Sequence, residues 1–78
     1  MAQFELYGSP ACPYTSEMRG WLEWRRADFV EYDVDSDAEA RRRMHVLSGD
    51  QRTIPVVVEY GKVIQVGWQG RGCVVATK

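Results

Sequence analysis

With 78 residues, 45% of them hydrophobic and including three Trp, four Tyr and two Phe, the chain has apolar material for one compact core and no length for a second domain. The formal net charge is -1, and the basic residues are scattered apart from Arg25-Arg26 and Arg41-Arg42-Arg43, which argues against a nucleic-acid partner. No apolar run approaches the roughly 18 residues that cross a bilayer, and Met1-Ala2-Gln3-Phe4-Glu5 lacks the basic start and apolar stretch of a secretory leader, so a cytoplasmic protein without a membrane partner is expected.

Residues 4–7 alternate apolar and polar as a short strand does, and Gly8-Ser9-Pro10 stops it. From Cys12 onward, Tyr14, Met18, Trp21 and Leu22 line one face of a helix expected to reach about Arg26, with Gly20 a cost of about 1 kcal/mol relative to Ala. Residues 29–34 return to strand character, and Asp35-Ser36-Asp37 supplies side-chain oxygens to cap a second helix over residues 38–47, with Ala40, Met44 and Leu47 inward. The arginine triplet lies in that helix and reads as a solvated face, not a phosphate site, and His45 reads as a surface or half-buried side chain with no carboxylate or second His to pair with. Ser48-Gly49-Asp50 ends the helix.

Residues 54–59 and 62–66 are β-rich runs joined by Tyr60-Gly61, the composition of a tight hairpin. The order β-α-β-α-β-β predicts an α/β domain with a mixed four-stranded sheet: a parallel pair from the strand-helix-strand unit and antiparallel pairing from the hairpin. After residue 66 the chain is glycine-rich, Gly67-Trp68-Gln69-Gly70-Arg71-Gly72-Cys73, and too short for a third helix. The three Trp read mainly as packing, with Trp68 placed to border a substrate groove.

Two cysteines are too few for a disulfide framework and are not spaced for zinc, so no metal site is expected and a reducing compartment fits best. Context separates the two. Pro13 reads as the first helical residue, which puts Cys12 at the N-cap. A sulfur there can accept hydrogen bonds from the N–H groups of Tyr14 and Thr15, and the positive end of the helix dipole favours the thiolate, the nucleophilic form. The Thr15 hydroxyl, one turn on, is placed to add a further hydrogen bond. The bland alternative makes Cys12 a small filler, but cysteine is not a preferred capping residue.

Thr53-Ile54-Pro55 opens the third strand. An X-Pro bond is the one common site of a cis peptide, although a trans edge-strand proline is the commoner case. In the company of the cysteine turn, a cis bond would present the Ile54 backbone to an extended peptide or to glutathione as a neighbouring strand would.

These two segments carry a family resemblance. Tyr7-Gly8-Ser9-Pro10-Ala11-Cys12-Pro13-Tyr14-Thr15 resembles the active-site strand and turn of the glutaredoxins, and Ser48-Gly49-Asp50-Gln51-Arg52-Thr53-Ile54-Pro55 is similar to the segment leading into their cis-proline. The resemblance spans roughly residues 3–70. It implies a thioredoxin-like fold with a short or missing C-terminal helix. It also implies a cytoplasmic, monomeric thiol-disulfide oxidoreductase in which Cys12 attacks a disulfide or glutathione mixed disulfide. Pro13, Tyr14 and Thr15 would support it, and Gln51, Arg52, Thr53, Ile54 and Pro55 would bind substrate or glutathione, Gln51 and Arg52 meeting the glycyl carboxylate. Thr15 stands where dithiol relatives have a second cysteine, which implies a monothiol mechanism with glutathione as co-substrate. No lysine precedes Cys12, and Gly67-Trp68-Gln69-Gly70-Arg71 replaces the usual Gly-Gly pair followed by an acidic residue. That stretch is more similar to electron donors of ribonucleotide reductase served by thioredoxin reductase, so the reductant is glutathione or thioredoxin reductase. The expected partners are protein disulfides or glutathionylated proteins. A second reading has two protomers hold a [2Fe-2S] cluster between their Cys12 thiolates and two glutathiones, as some monothiol relatives do.

For Cys73 the plainer expectation is a semi-buried thiol with no role. The sharper one is that the tail glycines fold it over the active site as a resolving thiol for Cys12.

Overall fold

The computed structural model describes residues 3–49 and 52–74. They form β1 (Phe4–Gly8), α1 (Pro13–Trp24), β2 (Phe29–Asp33), α2 (Ala38–Ser48), β3 (Thr53–Ile54), β4 (Val56–Glu59), β5 (Lys62–Val66) and β6 (Cys73–Val74). The main sheet has the order β2-β1-β4-β5, with β1 parallel to β2 and antiparallel to β4, and β4 antiparallel to β5. This is the expected mixed four-stranded sheet.

The two faces of that sheet carry separate apolar clusters, which follows from the two-residue period of a strand. Phe4, Leu6 and Val57 point to one face and meet Met18 and Leu22 of α1. Tyr7, Val56 and Val58 point to the other and meet Ala40 and Met44 of α2. Each helix therefore covers one face, and the central strands β1 and β4 are buried on both sides.

Local chemistry sets the ends of the elements. α1 stops at Trp24, short of the expected Arg26, because Arg26 takes φ 56° and the Ala27 N–H turns back to the Leu22 carbonyl at 3.0 Å. β2 ends at Asp33, one residue early, where the Asp33 carboxylate accepts from the Asp35 N–H and the Ser36 hydroxyl, both at 3.0 Å, and turns the chain. Of the three capping candidates, Asp37 caps α2, accepting from Glu39 and Ala40 N–H at 3.1 Å. α2 runs one residue beyond expectation, through Ser48, and closes at Gly49 with φ 71°. The Tyr60-Gly61 turn has positive φ at both positions, 49° and 81°, as a two-residue hairpin turn requires.

One expectation about the second half is corrected. The run 54–59 is not one strand: Pro55, which has no N–H for a ladder, separates β3 from β4, and its carbonyl instead accepts from the Gly67 N–H at 2.6 Å. The glycine-rich tail forms no third helix among the described residues and has an order of its own. Gln69 (φ 52°) and Gly70 (φ 78°) make a tight turn with reciprocal hydrogen bonds between Trp68 and Arg71, 2.6 and 2.9 Å, and the chain returns as β6 to pair with β3. Trp68 is turned away from the groove by this arrangement. It packs edge-on against Trp21 at 6.1 Å, on the α1 side of the sheet.

The arginine triplet is only partly a solvated face. Arg41 Nη1 donates to the Val34 carbonyl at 2.9 Å. Arg43 lies over the Tyr32 ring at 4.7 Å and its Nε donates to the Tyr7 hydroxyl at 3.1 Å. The Tyr7 hydroxyl in turn donates to Glu5 Oε1 at 2.5 Å. Burial first, then the hydrogen bond to Glu5, pushes Tyr7 up to about 12. Because the folded value lies above the unfolded value of about 10, stability from this site is intact below pH 10. It is lost as pH rises from there through about 12. The ultraviolet titration difference between the wild type and Tyr7→Phe is accordingly expected to be centred near 12, and a difference centred near 10 would refute the arrangement.

Gly20 lies on the exposed side of α1, and a Cβ there would meet nothing within 4 Å. Gly20→Ala is expected to stabilise the protein by about 1 kcal/mol in urea unfolding, by helix propensity and reduced unfolded-state entropy. No gain would mean that α1 deviates from the described geometry at this turn.

Candidate redox site

The site forms where β1 ends and α1 begins. Gly8 must be glycine because a Cβ there would run into the Thr15 side chain, 2.5 Å from Oγ1 and 3.0 Å from Cβ. That close approach draws the first turn of α1 onto the end of β1. Ser9 organises the intervening loop: its hydroxyl donates to the Asp35 carboxylate and accepts from the Ala11 N–H at 3.1 Å, while its carbonyl accepts from the Cys12 N–H at 3.1 Å. Cys12 is the N-cap, with φ -96° and ψ 116°, and Pro13 follows at the first helical position.

Cys12 is 2% exposed, and its sulfur is bonded to that of Cys73, with the Cα atoms 6.0 Å apart, an ordinary spacing for a disulfide. In this oxidised form the sulfur accepts no capping hydrogen bond from the helix amides. Thr15 also differs from expectation. Its hydroxyl, fully buried, accepts from the Ser9 N–H at 3.3 Å and so holds the loop, not the sulfur.

The Ile54-Pro55 peptide is cis. Ile54 pairs antiparallel with Cys73, and Thr53 with Val74. Ser9, Ala11, Cys12, Asp35, Ile54, Cys73 and Val74 line a cavity of about 220 Å³. Three of the sequence candidates, Cys12, Ile54 and Cys73, thus meet around one space. Tyr14 instead packs half-buried against the α2-side cluster, Pro13 and Arg52 are exposed, and Thr53 and Pro55 flank Ile54 without lining the cavity. Gln51 lies outside the described residues.

Sequence reasoning missed Ser9 and Asp35 as a pair. Asp35 was read only as a capping candidate; the fold gives that task to Asp37 and sends the Asp35 carboxylate across 26 residues to Ser9. Asp35 is the one acidic or basic side chain lining the cavity among the described residues.

A helix-capping cysteine at the end of a central parallel strand, faced by the residue before a cis-proline, defines a thioredoxin-fold protein of the thiol-redox class. The comparisons narrow this. The chain belongs to the glutaredoxin family, whose model matches residues 4–64. A probable glutaredoxin of Synechocystis sp. is 32% identical over 56 residues, covering 72% of this chain, which spans about half, 51%, of that relative. A glutaredoxin-like 8.6 kDa protein in a rubredoxin operon of Clostridium pasteurianum is 32% identical over 60 residues, 77% of this chain and 79% of the relative. Among solved structures, a glutaredoxin from Archaeoglobus fulgidus aligns with a TM-score of 0.74 at 27% identity, covering 88% of this chain and 78% of that one. The thioredoxin-like protein BC3987 aligns with a TM-score of 0.73 at 33% identity, covering 85% and 88%.

Proposed function

We propose that the protein is a thiol-disulfide oxidoreductase of the cytoplasm whose nucleophile is the Cys12 thiolate, acting on protein disulfides or glutathione mixed disulfides. The observation that carries this is the position of Cys12 at the N-cap of a twelve-residue helix, across a cavity of about 220 Å³ from the Ile54 backbone. In the reduced protein the positive end of the α1 dipole stabilises a sulfur anion over the thiol; Pro13 has no N–H and the Thr15 N–H is held by the Cys12 carbonyl at 3.1 Å, so the Tyr14 N–H is the first-turn amide offered to the sulfur. The Asp35 carboxylate, which lines the same cavity and accepts from the Ser9 hydroxyl, opposes that effect. Pro13 fixes the first helical residue, Thr15 holds the loop through Ser9, and the Ile54 backbone aligns the substrate. Glutathione is the co-substrate in this reading, with Gln51 and Arg52 meeting its glycyl carboxylate, and glutathione or thioredoxin reductase is the reductant.

The iron-sulfur reading requires Cys12 to be open to a second protomer. Its bond to Cys73, a second thiol of the same chain, favours the enzyme.

The test is the rate of Cys12 alkylation by iodoacetamide against pH in the reduced protein, with Cys73→Ser to isolate the thiol. The midpoint is expected clearly below the ordinary value of about 8.5. Turnover of a glutathionylated peptide is expected to vanish in Cys12→Ser. An ordinary midpoint together with activity surviving in Cys12→Ser would remove the assignment.

A further inference from the structure

We propose that Cys73 is the resolving thiol of Cys12, delivered by β6 as an internal strand that fills the β3 edge where a substrate peptide would otherwise pair. The proposal rests on the reading of Cys12 as the nucleophile and replaces its monothiol mechanism with a two-thiol one.

Three independent features converge on it. Position 15, one helical turn beyond Cys12, holds a fully buried threonine engaged with the Ser9 N–H, so no second thiol can come from the cysteine turn itself. The tail is shaped to supply one. The Gln69-Gly70 turn reverses the chain, and a Cβ at Gly72 would stand 2.5 Å from the Ile54 oxygen and 2.7 Å from Thr53 Cγ2. Only glycine lets the backbone come that close. Finally, Ile54 and Cys73 are direct partners in the β3-β6 ladder, and the Cys73 sulfur is joined to that of Cys12. Backbone pairing along an exposed strand edge is a general mode of peptide recognition, so β6 stands where an extended substrate cysteine would stand.

The chemistry balances without an unnamed reactant. The Cys12 thiolate attacks one sulfur of a substrate disulfide; the new Cys12–substrate bond forms, and the other substrate sulfur leaves as a thiolate and takes a proton from water. Cys73 gives its proton to water, and its thiolate then attacks the Cys12 sulfur, forming the Cys12–Cys73 bond and expelling the second substrate thiolate, which takes a proton from water in turn. The substrate gains two electrons and the protein loses two. An external dithiol, or two equivalents of a monothiol, returns both cysteines to thiols and becomes a disulfide itself. In the oxidised protein β6 fills the edge, so only the reduced protein accepts substrate there.

Reduced full-length protein treated with one equivalent of glutathione disulfide, quenched and analysed by mass spectrometry, separates the steps. The wild type is expected to end as the Cys12–Cys73 disulfide with loss of any glutathione adduct. Cys73→Ser is expected to stop at glutathione on Cys12. Gly72→Val, checked for folding by circular dichroism, is expected to accumulate the same adduct although both thiols are present. A wild-type adduct as persistent as that of Cys73→Ser, with no Cys12–Cys73 bond, would overturn the proposal. If Cys12→Ser took up glutathione at Cys73 as fast as Cys73→Ser takes it up at Cys12, the assignment of Cys12 itself would fall instead.

Discussion

Reducing the Cys12–Cys73 bond is expected to lower the unfolding free energy by about 4 kcal/mol, the chain entropy removed from the unfolded state by closing a loop 61 residues apart. For a chain of this size that is close to half of a total of order 5–10 kcal/mol. The bond ties β6 to the start of α1, so it closes nearly the whole domain. Urea unfolding with and without a phosphine reductant measures the difference, and Cys73→Ser should show the lower midpoint under both conditions. A wild-type midpoint indifferent to reductant would mean that the two sulfurs are not joined in solution. The consequence for a redox protein is direct: each catalytic cycle would alternate between a tighter oxidised form and a looser reduced one.

The second large effect is at Gly8. A methyl group there would collide with the Thr15 side chain, which is fully buried and cannot swing into solvent. Gly8→Ala is therefore expected to cost about 3 kcal/mol, at the upper end for overpacking in a closed core. The Gly8→Ala/Thr15→Ala double variant should lose less than the sum of the two single changes, since removing the threonine side chain relieves the collision while giving up the hydrogen bond from the Ser9 N–H. Additive losses in chemical denaturation would show that the two residues do not touch.

Much of the fold was legible because it depends on short-range pattern. Phe4 and Leu6 against Tyr7, and Val57 against Val56 and Val58, divide between two helices by simple alternation. The cysteine-proline start of α1 and the Asp37 and Gly49 caps of α2 were likewise visible as local residue preferences. The glutaredoxin family was legible from two separated motifs, and the family match over residues 4–64 agrees.

What was not legible involves partners far apart along the chain. Nothing in Gly67-Trp68-Gln69-Gly70-Arg71-Gly72-Cys73 distinguishes a flexible end from a strand, because a two-residue β6 has no period to detect and its pairing with β3 is satisfied only once both segments are in place. The same holds for Ser9 with Asp35, Arg43 with Tyr7 and Trp68 with Trp21. Hydropathy and capping preference act between neighbours and so are written in residue order, which is why the elements, the family and the N-cap position of Cys12 could be read from it. Which side chains meet around Cys12, that Thr15 turns to the loop, and which of the two expectations for Cys73 places it, idle or closed on the sulfur, are settled by packing across the sheet, where the contacts join residues that order alone does not relate.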